Sequence, residues 1–240
     1  MKDQSAPEMA TQRISRRKLL TFGWAMAALG VAGGFLYRHF SSTSQIHVES
    51  FTTNGIGDKK NILLVTGSAR DGGNTEILAD AFANGARAAG HTVNVFNSGK
   101  NPMLSCMHCD GCWSNGEPCV VRDSFTSFWP VLEQADMLVL ASPLYWYNFS
   151  GHIKCAIDRM YPYSRNDRKR DLKIREAMLL MCGESHFPRS FAGAAEAYRQ
   201  ILGFKRWTDR GRLFVTGFHE YGDIKNGSAL VMADKMGRNA

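Results

Sequence analysis

The 240-residue sequence has no internal repeat, no low-complexity segment and a modest 21% of charged residues. The first two absences exclude a repeat array. Low charge beside 44% hydrophobic residues excludes wholesale disorder and allows a real core. Cysteine is scarce, at six residues, too few for a disulfide-stapled mini-protein of this length. The chain also lacks a G-x-G-x-x-G fingerprint and a Walker loop with Gly-Lys-Ser/Thr, which argues against a dinucleotide pyrophosphate and against a nucleoside triphosphate. A formal charge of +7 suits nucleic acid, an anionic cofactor or a membrane surface, but no recognised nucleic-acid motif accompanies it.

The first fifty residues read as a segment apart from the fold. Ile14-Ser15-Arg16-Arg17-Lys18-Leu19-Leu20 is followed by an uncharged run, residues 19–37, and then by Arg38, His39 and a Ser/Thr-rich stretch. Basic, apolar and polar regions in that order make a targeting signal. The Arg16-Arg17 pair directly before the apolar run resembles a twin-arginine export signal. No good Ala-x-Ala site follows, and the run is close to the length of about twenty residues that a membrane span needs. Release and retention as an N-terminal anchor therefore both stay open. Residues 1–50 hold +3 of the +7 charge.

From residue 51 onward the pattern alternates. Short apolar runs at 61–66, 92–96, 137–141, 177–181 and 213–216 read as buried strands. Between and after them, 74–89, 123–134, 150–161, 190–202 and 227–237 have helical spacing. The expected fold is α/β: a doubly wound, five-stranded parallel sheet. Ligands in such sheets sit beyond the carboxyl ends of the strands, so the loops after residues 66, 96, 141, 181 and 216 are the ones that matter. The basic stretch 165–175 reads as a solvated loop.

Two of those loops carry chemistry together. After the first expected strand comes Gly67-Ser68-Ala69-Arg70-Asp71-Gly72-Gly73-Asn74-Thr75, then a helix. Glycines, short polar side chains and a helix N-terminus form an anion site, with donors from Ser68, Asn74 and Thr75 and charge from Arg70. After the third comes Ser142-Pro143-Leu144-Tyr145-Trp146-Tyr147-Asn148-Phe149, whose aromatics and amides suit the face and edge of a flat heterocycle. Each loop alone has a bland reading, a glycine-rich turn or rings packed between helices. Their joint occurrence is more specific.

These loops, with Ile157-Asp158-Arg159 and Gly222-Asp223-Ile224-Lys225, resemble the flavodoxin-like NAD(P)H-dependent FMN reductase family, and more narrowly its iron–sulfur flavoprotein branch. The resemblance runs from about residue 60 to the end. It implies noncovalent FMN, with Ser68, Arg70, Asn74 and Thr75 on the phosphate. Pro143, Leu144, Tyr145, Trp146 and Asn148 would line the isoalloxazine, and Gly183 and Glu184 would lie near its other side. It also implies a homo-oligomer with the flavin near a subunit interface.

The cysteines add a second centre. Cys106, Cys109, Cys112 and Cys119 follow the spacing C-x2-C-x2-C-x6-C. A C-x2-C step lets two thiolates converge, and three in series cradle a cubane cluster. The spacing is similar to the cluster motif of iron–sulfur flavoproteins and implies one [4Fe–4S] cluster. Zinc, two disulfides or four free thiols are the competing readings. His108 reads as a neighbour of the motif, and Cys155 and Cys182 as buried core thiols.

The resemblance implies an FMN-dependent oxidoreductase that passes electrons to a quinone, flavin or redox-protein acceptor. A non-enzymatic flavodoxin-like carrier is the alternative. No side-chain acid, base or nucleophile is required, so no catalytic residue is nominated. Export would place the domain in the periplasm or on the outward face of the inner membrane. The donor there would be a quinol or a redox protein instead of free NAD(P)H. No nucleic-acid partner is expected.

Overall fold

A computed structural model of the chain describes residues 45–49, 51, 58–164 and 170–240. The twin-arginine pair and the apolar run at 19–37 lie outside the described residues, as do residues 165–169 of the basic stretch. Among the described residues no helix is long and apolar enough to cross a membrane.

Six strands form one sheet: β1 (Gln45–Glu49), β2 (Asn61–Thr66), β3 (Thr92–Asn97), β4 (Met137–Pro143), β5 (Glu176–Cys182) and β6 (Thr208–Thr216). Five α-helices are described: α1 (Asn74–Ala88), α2 (Phe125–Gln134), α3 (Gly151–Asp158), α4 (Ala192–Lys205) and α5 (Ser228–Arg238). The strand order is β1-β6-β5-β4-β2-β3. Strands β2 to β6 are parallel, in the doubly wound order expected from the alternation.

The expectation of five parallel strands is corrected by β1. It pairs antiparallel with β6, from Gln45 opposite Thr216 to Glu49 opposite Arg212, and makes the sheet six-stranded and mixed. This strand lies inside the stretch read as apart from the fold. Its sequence, Gln-Ile-His-Val-Glu, alternates polar and apolar residues as a half-covered edge strand does. Ile46 and Val48 pack on the core, while Glu49 pairs with Arg212 at 2.8 Å. The alternation was masked by the Ser/Thr-rich run before it.

The central strands are apolar throughout because both faces are covered. Successive side chains point to opposite faces, and the core divides accordingly. Leu63, Val65, Leu138, Leu140, Leu179 and Met181 face α2, α3 and α4 with Phe128, Ile153 and Tyr198. Ile62, Leu64, Met137, Val139, Met178 and Leu180 face α1 and α5 with Phe82, Ala233 and Met236. Strand β6 is longer than its apolar half suggests because its polar start, Thr208-Asp209-Arg210, is fixed at the rim: Arg210, almost fully buried, pairs with Glu176 at 2.8 Å.

Helices α1 and α5 approach so closely that a Cβ on Gly85 would lie 2.1 Å from the Asp234 carbonyl oxygen. Gly85→Ala should therefore destabilise the fold by about 1–3 kcal/mol through overpacking, although alanine favours helix by about 1 kcal/mol. Denaturant midpoints check this, and a stabilised variant would contradict the packing. Burial alone would raise the Glu176 carboxyl, but Lys60 and Arg210 outweigh it and hold the group below its usual range. A depressed carboxylate contributes stability above its unfolded value that is lost as pH falls through the folded one. Stability measured from neutral pH down through the carboxylate range should therefore fall more steeply in the parent than in Glu176→Gln.

Candidate functional site

Strands β2 and β4 are neighbours, yet the chain leaves β2 toward β3 on one side and leaves β4 toward β5 on the other. This reversal opens a crevice at the carboxyl ends of the strands. A cleft of about 300 Å³ lies there, formed by the loops after β2, β4, β5 and β6. Its size is at the low end for small-molecule sites.

One wall is the start of α1. Gly73 is the N-cap and supplies no side-chain acceptor, so the first-turn amides keep no side-chain cap. Such amides and the helix dipole favour an anion. The loop leading in is held by its own bonds. The Ser68 hydroxyl accepts from the Arg70 amide at 3.3 Å, and the Gly73 amide donates to the Arg70 carbonyl at 3.3 Å. Glu76, in the first turn, accepts from the Gly72 amide and pairs with Lys100 at 2.6 Å. Lys100 also pairs with Asp71, and hydrogen bonds to Asp71 and Glu76 push its ammonium pKa up. These pairs offset carboxylate charge that would oppose an anion at the helix start.

The Asn74 amide is already engaged. It donates to the Glu220 carbonyl at 2.9 Å and accepts from the Ile224 amide at 3.3 Å, tying the loop after β6 to α1. The Thr75 hydroxyl lies 3.2 Å from the Cys182 sulfur. Burial pushes the Cys182 thiol up to about 11, so it stays protonated at neutral pH.

The floor continues the sheet ladder. The Leu144 amide donates to the Cys182 carbonyl at 2.9 Å, and the Gly183 amide to that of Val215 at 3.0 Å. A Cβ on Gly183 would lie 2.8 Å from that of Leu144, so only glycine lets the loops after β4 and β5 meet this closely. Beyond Leu144 the chain turns back: Tyr145 and Asn148 exchange backbone bonds of 3.1 and 3.0 Å across Trp146 and Tyr147. Both central residues have left-handed backbone, φ 48° and 62°, as a two-residue hairpin turn requires. That conformation is strained for aromatic residues. It sends Trp146 into solvent, 94% exposed.

The structure thus brings Ser68, Arg70, Asn74, Thr75, Pro143, Leu144, Tyr145 and Gly183 to one cleft, with Glu184. Trp146 and Asn148 stand outside that lining. The Asn148 side chain accepts from the Phe149 amide at 2.8 Å. Gly73 of the same anion loop lines it too, and sequence reasoning missed Cys182, Phe218, His219 and Tyr221, which also line it. The signal for the last three was positional, since they follow a strand end at the same edge. Tyr221 donates its hydroxyl to the Asp71 carbonyl, so this loop latches onto the loop after β2.

The cysteine motif lies between β3 and α2. Cys106, Cys109, Cys112 and Cys119 line one pocket with Arg159 and Tyr161. None of the six cysteines forms a disulfide. Among the described residues no group of three or more His, Cys, Asp or Glu side chains is placed to hold a metal ion. Asp110 and His108 have left-handed backbone and both reach the Tyr161 hydroxyl, at 3.2 and 3.1 Å.

Residues 60–219 match the family model described as NADPH-dependent FMN reductase. The chain belongs to that family. An iron–sulfur flavoprotein of Archaeoglobus fulgidus is 33% identical over 99 residues, 41% of this chain and 44% of that protein. The match thus spans less than half the length of that relative. The Bacillus subtilis protein YwqN, whose name describes an NAD(P)H-dependent FMN-containing oxidoreductase, is 23% identical over 73% of this chain and 95% of its own. Among solved structures, an NAD(P)H:quinone oxidoreductase from Methanothermobacter marburgensis superposes with a TM-score of 0.61 at 20% identity, covering 76% of this chain and 97% of that one.

In this FMN reductase family member the loop after β6 depends on Asn74. Asn74→Ala removes both of its bonds, at a cost of about 1 kcal/mol each. Amide exchange at residues 218–224 should rise while exchange in β2 and β4 stays as in the parent. Unchanged protection at 218–224 would show that Asn74 does not anchor the loop.

Proposed function

We propose that the chain is an FMN-dependent oxidoreductase that moves electrons from a reduced donor to a quinone, flavin or redox-protein acceptor. The observation that carries this reading is the cleft at the chain reversal, where an uncapped helix start faces loops bearing aromatic and backbone groups. The residues present fit the cofactor. The first-turn amides of α1, Ser68, Thr75 and the Arg70 charge would hold its phosphate. Pro143, Leu144, Tyr145 and Gly183 would hold the ring, with Phe218 and Tyr221 on the loop that latches across. FMN, when bound, supplies one- and two-electron transfer, and the chain's part is to bind, orient and exclude water. NAD(P)H is the donor that the family supports and serves as the reductant in vitro; after export a quinol or a redox protein would take its place, and a quinone acceptor accords with the superposed oxidoreductase.

The four clustered cysteines are assigned to one [4Fe–4S] cluster in this reading. Three features support it: the spacing, the shared pocket of four cysteines, and the likeness to iron–sulfur flavoproteins. Each thiolate of a four-iron cluster binds a separate iron, so the cluster does not need the tight grouping that one ion needs. The Arg16-Arg17 segment, in the same reading, directs export of the loaded protein, either released to the periplasm or held on the outer face of the inner membrane with residues 19–37 as anchor. A homo-oligomer completes it. The electron-carrier alternative has the same cofactors without a small-molecule substrate.

Steady-state turnover separates the two. NAD(P)H oxidation coupled to quinone reduction is expected, whereas reduction only by a partner protein would favour the carrier. Arg70→Gln removes a cation from the anion wall and should weaken FMN binding about tenfold or more, the equivalent of about 1.5–3 kcal/mol. Flavin fluorescence titration measures it, and unchanged affinity would place the phosphate elsewhere.

A further inference from the structure

Arg159, one residue past the end of α3, is only 2% exposed. Its guanidinium reaches both ends of the cysteine loop at once. One terminal nitrogen donates to the Leu104 carbonyl at 3.0 Å, two residues before the first clustered cysteine. The other donates to the Val121 carbonyl at 3.3 Å, two residues after the last. Both also bond Asp123, at 2.9 and 3.2 Å, and the Phe125 ring lies under the cation at 4.6 Å. Asp123 in turn accepts from the Leu104 amide at 2.9 Å and the Phe125 amide at 3.0 Å. A planar fork can join two carbonyls and a carboxylate in this way, and an ammonium cannot.

The same residue lines the cysteine pocket. Its Nε–H is buried and has no hydrogen-bond partner. A buried donor left unsatisfied is costly and calls for an explanation, such as a redox role or a bound water or ion. Sulfur accepts such bonds, and hydrogen bonds to cluster sulfurs are among the determinants of reduction potential.

We propose that Arg159 is the positioning residue of the cysteine centre: one buried guanidinium fixes the span from Leu104 to Val121, so that four thiols share one pocket, and it keeps its Nε–H for an acceptor carried there. The loop-closing part of this role stands without the cluster, and the Nε–H part rests on the cluster assignment above. Ordering a loop before its ligand arrives reduces the entropy that binding would otherwise cost.

Arg159→Lys tests the proposal because it keeps the charge opposite Asp123 and loses the fork. In the full-length, metal-free, reduced protein, a bifunctional thiol reagent of short fixed span reports how often two clustered thiols stand together. Bridging should fall about tenfold in Arg159→Lys, the factor expected for losing a hydrogen bond to a charged group. FMN binding should stay at the parent value. After iron and sulfide reconstitution, the residual cluster of the variant should titrate at a more negative potential than the parent's, because the reduced cluster loses a donor. Parent-like bridging together with a parent-like potential would overturn the proposal.

Asp123→Asn weakens the clamp while leaving the guanidinium in place, and its bridging should fall between the two. If Arg159→Lys does not fold, parent-like bridging in Asp123→Asn would overturn the proposal. A parent protein whose thiols bridge readily and depend on Arg159, but which takes up no iron or sulfide, would overturn the cluster assignment and leave the loop-closing role supported.

Discussion

The uncapped first turn of α1 is the constraint on which the rest of this structure depends. A helix start buried without acceptors is costly, and here the cap is a glycine with no side chain to offer. The order of strands places that helix start beside the reversal between β2 and β4, where the sheet cannot cover it. Much of the surrounding architecture keeps the opening in shape. Lys100 offsets two nearby carboxylates, Asn74 ties in the loop after β6, and Tyr221 closes over Asp71. In the proposed function an anion of the cofactor would satisfy the remaining donors, in keeping with the FMN reductase family to which the chain belongs.

A different logic governs the cysteine loop. No regular element longer than the short 3-10 turn Gly111–Trp113 supports it. Its two ends are joined by one buried ion pair. Burial would raise the Asp123 carboxyl, but Arg159 and the amides of Leu104 and Phe125 outweigh that and hold it below the usual range. Breaking such a pair costs far more than it contributes net, because the remaining charge is left buried. The ion pair therefore serves better as a device for fixing geometry than as a source of stability.

Most of the fold was legible because the central strands are apolar on both faces and the helices between them keep their period. The edge strand was not: Ile46 and Val48 are only two apolar residues, set behind polar sequence. The polar half of β6 gave no hydrophobic signal either, since its order comes from Arg210 and Glu176. At the cleft, the loops after β2 and β4 could be read from residue type. The contribution of Phe218, His219 and Tyr221 could not, because it depends on which strand ends the topology brings together. Trp146 shows the opposite limit. An aromatic residue beside a cleft suggests a lining residue, but Trp146 sits in a left-handed turn between Tyr145 and Asn148 and is exposed, outside the cleft lining of this chain.

Electron transfer through a flavin beside a cysteine-bound cluster is the central claim, and the absorption spectrum of protein purified without oxygen tests it most directly. The account predicts flavin bands together with a broad iron–sulfur shoulder. Flavin bands alone would contradict the cluster, and a spectrum with neither would contradict the account as a whole.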